Sequence, residues 1–381
     1  MKKVLMNASV ASMIYKFNMG NIEVLERLGY QVDVACNFGK ENPIKLENIN
    51  KFRSILKDKK INIYETCCPR NIYSLWKIIK TYFYLKSLIE KEDYDLIHTQ
   101  SPIGGVICRL AARNARKKGT KVIYTAHGFH FFKRASIINW LIFYPIEKIC
   151  SKFTDIIITI NREDLNLAQK KFYPTKVEYI PGVGIDIEKF KDSLGIEGKK
   201  EKRKSLGIPN NVYIILSIGE LNHNKNHRSV IEAISKSKNK SNIYYLIAGN
   251  GELDVELSQL ANSLGINLLL LYYRNDIVDL LGIADLFIHS SYREGLPVAV
   301  MEAVAARKII LASKIRGNVD LVDKDCLFEP SNIEYLSELI DKSIKGLFDC
   351  TIDKNYSELH MCDYRNIDRK MYKIYSDINS L

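Results

Sequence analysis

The chain lacks the signatures of several large protein classes. No apolar run approaches the ~20 residues that a membrane-spanning helix needs. The nearest candidate, "IINWLIFYPIEKIC", is interrupted by Asn139, Pro145, Glu147 and Lys148. No G-x-G-x-x-G follows a β-type run, which argues against a dinucleotide oxidoreductase, and no G-x-x-x-x-G-K-[ST] marks a P-loop. The G-x-S-x-G nucleophile elbow is also missing. The eight cysteines are scattered, and no pair has C-x-x-C spacing. Neither a zinc site nor a thioredoxin-type motif is therefore expected, and a reduced, cytoplasmic chain is the simplest account. No cluster of His, Asp and Glu has metal-ligand spacing, so neither a metal nor any other cofactor is expected. Low-complexity tracts and short repeats are absent.

What is present fits a soluble globular protein. Hydrophobic residues make up 46% and charged residues 26% of 381 positions, ordinary values for that class. The length favours two domains. The opening "MKKVLMNASVASMIYKF" has a short apolar part broken by Asn7, so it reads as a first buried strand rather than a signal peptide. The net charge of +12 is unevenly placed. Residues 1–190 hold 31 Lys+Arg against 18 Asp+Glu, a balance of +13; residues 191–381 hold 25 against 26, a balance of −1. A basic half suits nucleic acid, an anionic membrane surface or a phosphorylated substrate. It equally suits a solvated lysine-rich surface.

Short β-type runs alternate with helix-length segments from the first residues on. "KKVLMNAS", "QVDVACN", "DLIHTQ", "KVIYTAH", "DIIITI" and "VEYIP" each hold a short apolar run, as parallel strands buried on both faces should. The pattern pauses at residues 191–211, which are charged and poor in apolar residues and read as a linker. It restarts with "VYIILSIGEL", "IYYLIAGNG", "INLLLLYY", "ADLFIHSS" and "KIILAS". The fold class is therefore α/β, with two facing, doubly wound Rossmann-like domains over 1–190 and 191–360. A last helix over 361–381 is expected to cross back onto the first domain. Ligands of such sheets bind beyond the carboxyl ends of the strands. That is where His127, Gly104, Gly105, Gly219, Glu220, Lys225, Gly249, Gly251 and Glu294 fall.

"REGLPVAVMEA" places seven residues between Glu294 and Glu302. Proline is tolerated in the first helical turn, so a helix should begin near Pro297. Glu294 then lies in the preceding loop and Glu302 about one and a half turns inside, levels roughly 8–10 Å apart by helical rise. Between them lies a helix N-terminus, which favours an anion. A ligand with hydroxyls at both ends and phosphate in the middle, such as a nucleotide sugar, fits. A plain helix-start acid and a solvated glutamate fit as well. Lys225, after a strand in "SIGELNHNKNH", can neutralise a diphosphate or simply be solvated. His127, at a strand's carboxyl end in "TAHGFHFF", can meet a ligand in either tautomer or be structural. His130 lies nearby, on the acceptor side or in the framework.

At this point the chain resembles glycosyltransferase family 4, the retaining GT-B enzymes, in its capsule and exopolysaccharide branch. The resemblance is carried by "YDLIHTQSPIGGVICRLAAR", "VIYTAHGFHFF", "TDIIITINRED", "YIPGVGID", "SIGELNHNKNH", "LIAGNGEL", "IADLFIHSSYREGLPVAVMEA" and "IRGNVDLV". It implies that Glu294 holds hydroxyls of the donor sugar and Glu302 the ribose. Gly295 and Leu296 would offer backbone N–H groups, Gly219 and Glu220 would form the phosphate loop, and Lys225 would bind the diphosphate. His127 would touch the donor sugar near the reacting carbon. Arg274 and Asn275 would lie near the nucleotide base, and Ser9, Gly104, Gly105 and His130 on the acceptor side. One departure stands out: Glu220 occupies a position where many members carry arginine, and Arg316 is the candidate substitute for that charge.

These roles imply metal-free transfer from a UDP-sugar, with fixed N–H groups and Lys225 stabilising the leaving phosphate. N-acetylhexosamine is the favoured sugar. The expected acceptor is a polyprenyl-diphosphate-linked saccharide, with the enzyme peripheral at the inner face of the cell membrane and no nucleic acid as partner. "SLWKIIKTYFYLK" interleaves Trp76, Phe83 and Tyr84 with Lys77, Lys80 and Lys86, a pattern for an anionic membrane surface or for a helix with core aromatics. Three other activities compete. A retaining glycosidase would need its two carboxylates about 5 Å apart. A non-catalytic UDP-sugar-binding protein would bind without turnover, and a UDP-sugar 2-epimerase would need no acceptor.

Overall fold

The computed structural model describes residues 1–39, 41–191 and 194–380. The chain divides into two units, Met1–Val183 with Arg365–Leu381, and Gly184–Tyr364.

The first unit is built on a seven-stranded sheet: β1 (Lys3–Val10), β2 (Gln31–Asn37), β3 (Asn62–Glu65), β4 (Leu96–Gln100), β5 (Lys121–Ala126), β6 (Ile156–Thr159) and β7 (Lys176–Tyr179). All pairings are parallel, in the order β3-β2-β1-β4-β5-β6-β7. The central strands are buried almost throughout, their apolar residues and also polar Asn7, Asp33, His98, Thr99 and Gln100, as befits a parallel sheet covered on both faces. The chain reverses its winding between β1 and β4, so the crevice beyond their carboxyl ends is the ligand position of this unit. The Tyr364–Asp377 helix belongs here: Ile367, Met371, Ile374 and Tyr375 join the core formed by Val4, Met6 and Ile22. Tyr375 Oη lies 2.7 Å from Nδ1 of buried His98.

The second unit carries β8 (Tyr213–Ile218), β9 (Ile243–Ala248), β10 (Asn267–Tyr272), β11 (Leu286–His289), β12 (Ile309–Ser313) and β13 (Leu327–Phe328). Its order is β10-β9-β8-β11-β12-β13, again all parallel. Its reversal falls between β8 and β11. The unit boundary lies at Val183–Gly184, before the expected linker. Within the 191–211 segment the structure shows a helix, Ile196–Ser205, with no buried residue. Its lysines and arginine give it a linker's charged composition, but Lys202 pairs with Asp276 and Asp279 and Arg203 with Asp285. Residues 192 and 193 of that segment lie outside the described residues.

Candidate active site

The loops that leave β8, β11 and β12 meet in the second unit at its reversal point. Lys225 Nζ pairs with Glu294 Oε1 at 2.7 Å. His289 Nε2 approaches the same oxygen at 3.4 Å from the last position of β11. Burial alone would raise the Glu294 carboxyl. His289 and Lys225 outweigh it and hold the group down to about 2, so it is ionised at neutral pH. Burial also lowers His289.

Backbone and side-chain bonds fasten these loops together. Tyr292 N donates to Asn224 O at 2.8 Å, and Asn224 Nδ2 to Arg293 O at 3.1 Å. Ser290 Oγ donates to Lys225 O at 2.9 Å. From the β12 loop, buried Arg316 donates through Nε to Glu294 O at 3.1 Å. Gly317 makes that approach possible. Its φ is +84°, and a Cβ there would lie 2.5 Å from Gly295 O, so only glycine fits. Gly219 lies against the stem of Lys225, where a Cβ would come to 3.0 Å.

The helix after this loop runs Val298–Ala305, with Pro297 as its cap. Pro297 ends the loop in the extended region and has no N–H to leave unpaired. Among the described residues, the N–H groups of Gly295 and Leu296 have no hydrogen-bond partner. Glu302 lies half-buried on this helix. Burial raises its carboxyl to about 7, against the opposing field of Lys189. The two glutamates therefore differ in charge state: one is ionised, the other poised to titrate near neutrality.

The remaining donor-side positions are placed less simply. Glu220 is exposed and takes a 3.0 Å bond from Asn222. Arg274 forms a two-point pair with Asp276, at 2.7 and 2.5 Å. Asp276 also binds Lys202, so the Arg274 guanidinium is engaged in a local network. Asn275 is exposed beside it.

In the first unit, His127 follows β5 and its Nε2 lies 2.8 Å from Oε1 of buried Gln100, the last residue of β4. Burial lowers the imidazole to about 4, so the ring is neutral. Its Nε2–H donates to Gln100, leaving Nδ1 as the acceptor. The Phe17 ring lies 5.5 Å away. At the β1/β4 reversal, Ser9 and Ser101 hydroxyls are 2.8 Å apart, and Gly104 N donates to Ser9 Oγ at 2.9 Å. A Cβ on Gly104 would meet Ser9 N at 2.7 Å, and one on Gly105 would meet the Tyr124 ring at 2.6 Å. Both glycines are buried and serve to seat the Pro102–Ala111 helix against the sheet. His130 packs on Phe143, ring centres 4.8 Å apart, and its carbonyl takes a bond from Asn139.

His289 and Gln100 are the residues that sequence reasoning missed. Each is the polar last residue of a buried strand, and that position at the carboxyl end was the available signal. Among the described residues, no group of three or more His, Cys, Asp or Glu could hold a metal ion. No helix among them is long and apolar enough to cross a membrane. Two helices of the first unit do expose apolar faces. On Leu75–Glu92, Trp76 is 77% and Phe83 62% exposed; on Ile137–Ser151, Ile137 is 77% and Leu141 71% exposed. The aromatics at 76 and 83 are thus surface residues, not core.

Residues 22–189 match the family described as Glycosyltransferase Family 4, and residues 198–347 match Glycosyl transferases group 1. The chain is 35% identical over 325 residues to EpsD of Bacillus subtilis, described as a glycosyltransferase, covering 84% of this chain and 81% of EpsD. It is also 35% identical over 301 residues to the UDP-Gal:alpha-D-GlcNAc-diphosphoundecaprenol alpha-1,3-galactosyltransferase of Escherichia coli, covering 76% and 74% of the two chains. In structure it is similar to Anabaena Alr3699/HepE solved in complex with UDP, with a TM-score of 0.76, 19% identity, and coverage of 99% and 100%. The matches extend through both units, and they include the loops that bring Lys225, His289 and Glu294 together. The chain is a glycosyltransferase of the GT-B fold and belongs to glycosyltransferase family 4.

Proposed function

We propose that this enzyme transfers a sugar, with retention, from a UDP-sugar to a polyprenyl-diphosphate-linked saccharide at the inner face of the cell membrane. The observation that carries the donor side is the cluster at the β8/β11 reversal. An ionised carboxylate, Glu294, and a cation, Lys225, stand 2.7 Å apart, beside a helix start with two unengaged N–H groups. Glu294 accepts hydrogen bonds from sugar hydroxyls. Lys225 and the N–H groups of Gly295 and Leu296 oppose the charge that builds on the departing phosphate. Such donors are fixed beforehand and need no reorganisation in the transition state. They supply the positive charge that a metal would otherwise bring, so the transfer is metal-independent.

Glu302 holds the ribose, and neutral His127 accepts from the transferring sugar through Nδ1. Retention follows if the acceptor hydroxyl attacks on the face that UDP leaves, its proton passing to a phosphate oxygen. The Escherichia coli relative is named for UDP-Gal and a diphosphoundecaprenol acceptor, which supports both substrate classes. The basic first half and the exposed faces of two helices support the membrane surface. The test is transfer from UDP-hexoses and UDP-N-acetylhexosamines to a synthetic polyprenyl-diphosphate monosaccharide. Product with retained anomeric configuration is expected. UDP-sugar turnover without product, or 2-epimerised donor, refutes the proposal.

A further inference from the structure

The first unit contains a cavity of about 240 Å³ bounded by Ile72, Leu75, Ile103, Phe131, Phe143 and Ile146, among others. It lies between the Leu75–Glu92, Pro102–Ala111 and Ile137–Ser151 helices. One part of its wall is Gly128 and His130, which directly follow His127. Another part is Leu75 and Ile146, which belong to the two helices with exposed apolar faces. Among the described residues, the one carboxylate in the wall is Glu147. It is matched by fully buried Arg109 at 2.7 Å and takes the Tyr124 hydroxyl at 3.2 Å. Arg109 also lies over the Tyr124 ring, 3.7 Å from its centre. No uncompensated charge opposes an apolar guest.

We infer that this groove holds the first isoprene units of the acceptor's polyprenyl chain, next to its diphosphate; the inference rests on the acceptor class proposed above. Three features select this occupant. A peptide strand would bring an N–H and a C=O per residue that need partners, whereas an isoprene chain brings none. The cavity is below the roughly 300–1,000 Å³ of sites for drug-sized ligands, so it takes the start of a chain and not a whole lipid. Its position also connects the His127 loop with the apolar faces, as a lipid with its saccharide at the site and its tail in the bilayer requires. The diphosphate complements the +13 balance of residues 1–190.

Direct binding and chain-length selectivity test this. The chain has two tryptophans. Trp140 lies 5.5 Å from the ring of Phe131 in the groove wall, so the full chain with Trp76→Phe carries a single reporter. Geranylgeranyl diphosphate should change its emission saturably, and inorganic diphosphate should not. Val106→Phe, which fills the groove, should weaken that binding about tenfold or more. In transfer assays the wild type should show a KM at least about tenfold lower for a C20 than for a C5 lipid-diphosphate saccharide, since each buried methylene favours binding. In Val106→Phe that ratio should approach one.

Equal KM for C5 and C20 in the wild type overturns the inference, as does an unchanged ratio in a folded Val106→Phe protein. Concentration-dependent dimerisation abolished by Val106→Phe would assign the groove to a second copy and overturn it too. Geranylgeranyl diphosphate binding that depends on Val106, without transfer to any lipid acceptor, would retain the groove and refute the acceptor. The wild-type chain-length series decides even if Val106→Phe does not fold.

Discussion

Glu302 should make UDP binding pH-dependent in the neutral range. Burial raises its carboxyl from 4.5 to about 7, with Lys189 pulling the other way. Ribose hydroxyls donating to the carboxylate favour its ionised form. UDP then selects the deprotonated protein, and binding strengthens as pH rises through 7. With a pKa of about 7, only about one carboxyl in eleven is ionised at pH 6, so affinity should fall about tenfold from its high-pH plateau. At pH 7 the loss is about twofold, with about half a proton released per UDP bound. Calorimetry between pH 5.5 and 8.5, in buffers of different ionisation enthalpy, measures both. The terminal phosphate of UDP itself titrates at about 6, so the comparison with Glu302→Gln carries the test. The two proteins should bind alike at pH 6 and diverge above pH 7, wild type tighter. Stability has the opposite sign. A carboxyl raised by folding contributes fully below 4.5 and loses that contribution as pH rises through 7. Glu302→Gln should therefore gain thermal stability relative to wild type between pH 5 and 8. Parallel UDP curves for wild type and Glu302→Gln would refute both the titration and the ribose contact.

Glu294→Gln should lower transfer about a hundredfold and leave UDP affinity within about twofold, as turnover and calorimetry together would show; equal losses would remove its assignment to the sugar. His289→Ala should reduce transfer less than Glu294→Gln and raise the pH at which activity fails on the acid side, because His289 helps to keep Glu294 ionised. Activity should survive excess EDTA, and full loss restored by magnesium or manganese would refute metal independence. The protein should bind vesicles of anionic lipid in co-sedimentation, and both apolar helix faces should contribute.

The strands were legible where both faces are buried. β1 and β8 carry apolar runs because their residues are buried almost throughout, and that burial is what the sequence pattern records. β3 escaped notice because it is a half-exposed edge strand of four residues. β13, a two-residue edge, is too short for any period to form. The Glu294–Glu302 spacing and the helix start at Pro297 could be read because proline and helical geometry are local properties. The bond from His289 to Glu294 could not, since it depends on how one loop folds back over five residues. Arg316 stands out in the sequence as the candidate substitute for the phosphate-loop arginine that family resemblance expects. The structure shows its Nε engaged with the Glu294 carbonyl, a backbone contact that side-chain chemistry does not announce. In the sequence, the Ile137–Ser151 segment shows only an apolar run interrupted by polar residues. Its apolar residues at 138, 141, 142 and 149 fall at helical spacing and remain in solvent.

That exposure bears on how the protein would meet a membrane. Full burial of an Ile, Leu or Phe side chain is worth about 1.5–3 kcal/mol. Two helix faces carrying Trp76, Phe83, Ile138 and Leu141 could thus supply several kcal/mol by partial insertion. A lysine near an anionic surface adds about 1 kcal/mol. Two of the three lysines on the Leu75–Glu92 helix already have partners, however. Lys77 pairs with Glu41 at 2.5 Å, and Lys86 lies 4.0 Å from Glu90. The apolar faces should therefore outweigh the lysines. Raising salt shortens screening to about 3 Å at 1 M and should remove only part of the vesicle binding. Changing Lys77, Lys80 and Lys86 to glutamate should resemble high salt, whereas Ile138→Asp with Leu141→Asp should remove most of what salt leaves. Binding that vanishes in high salt and ignores the aspartate pair would assign attachment to charge alone. It would also leave the exposed face of the Ile137–Ser151 helix without a lipid partner.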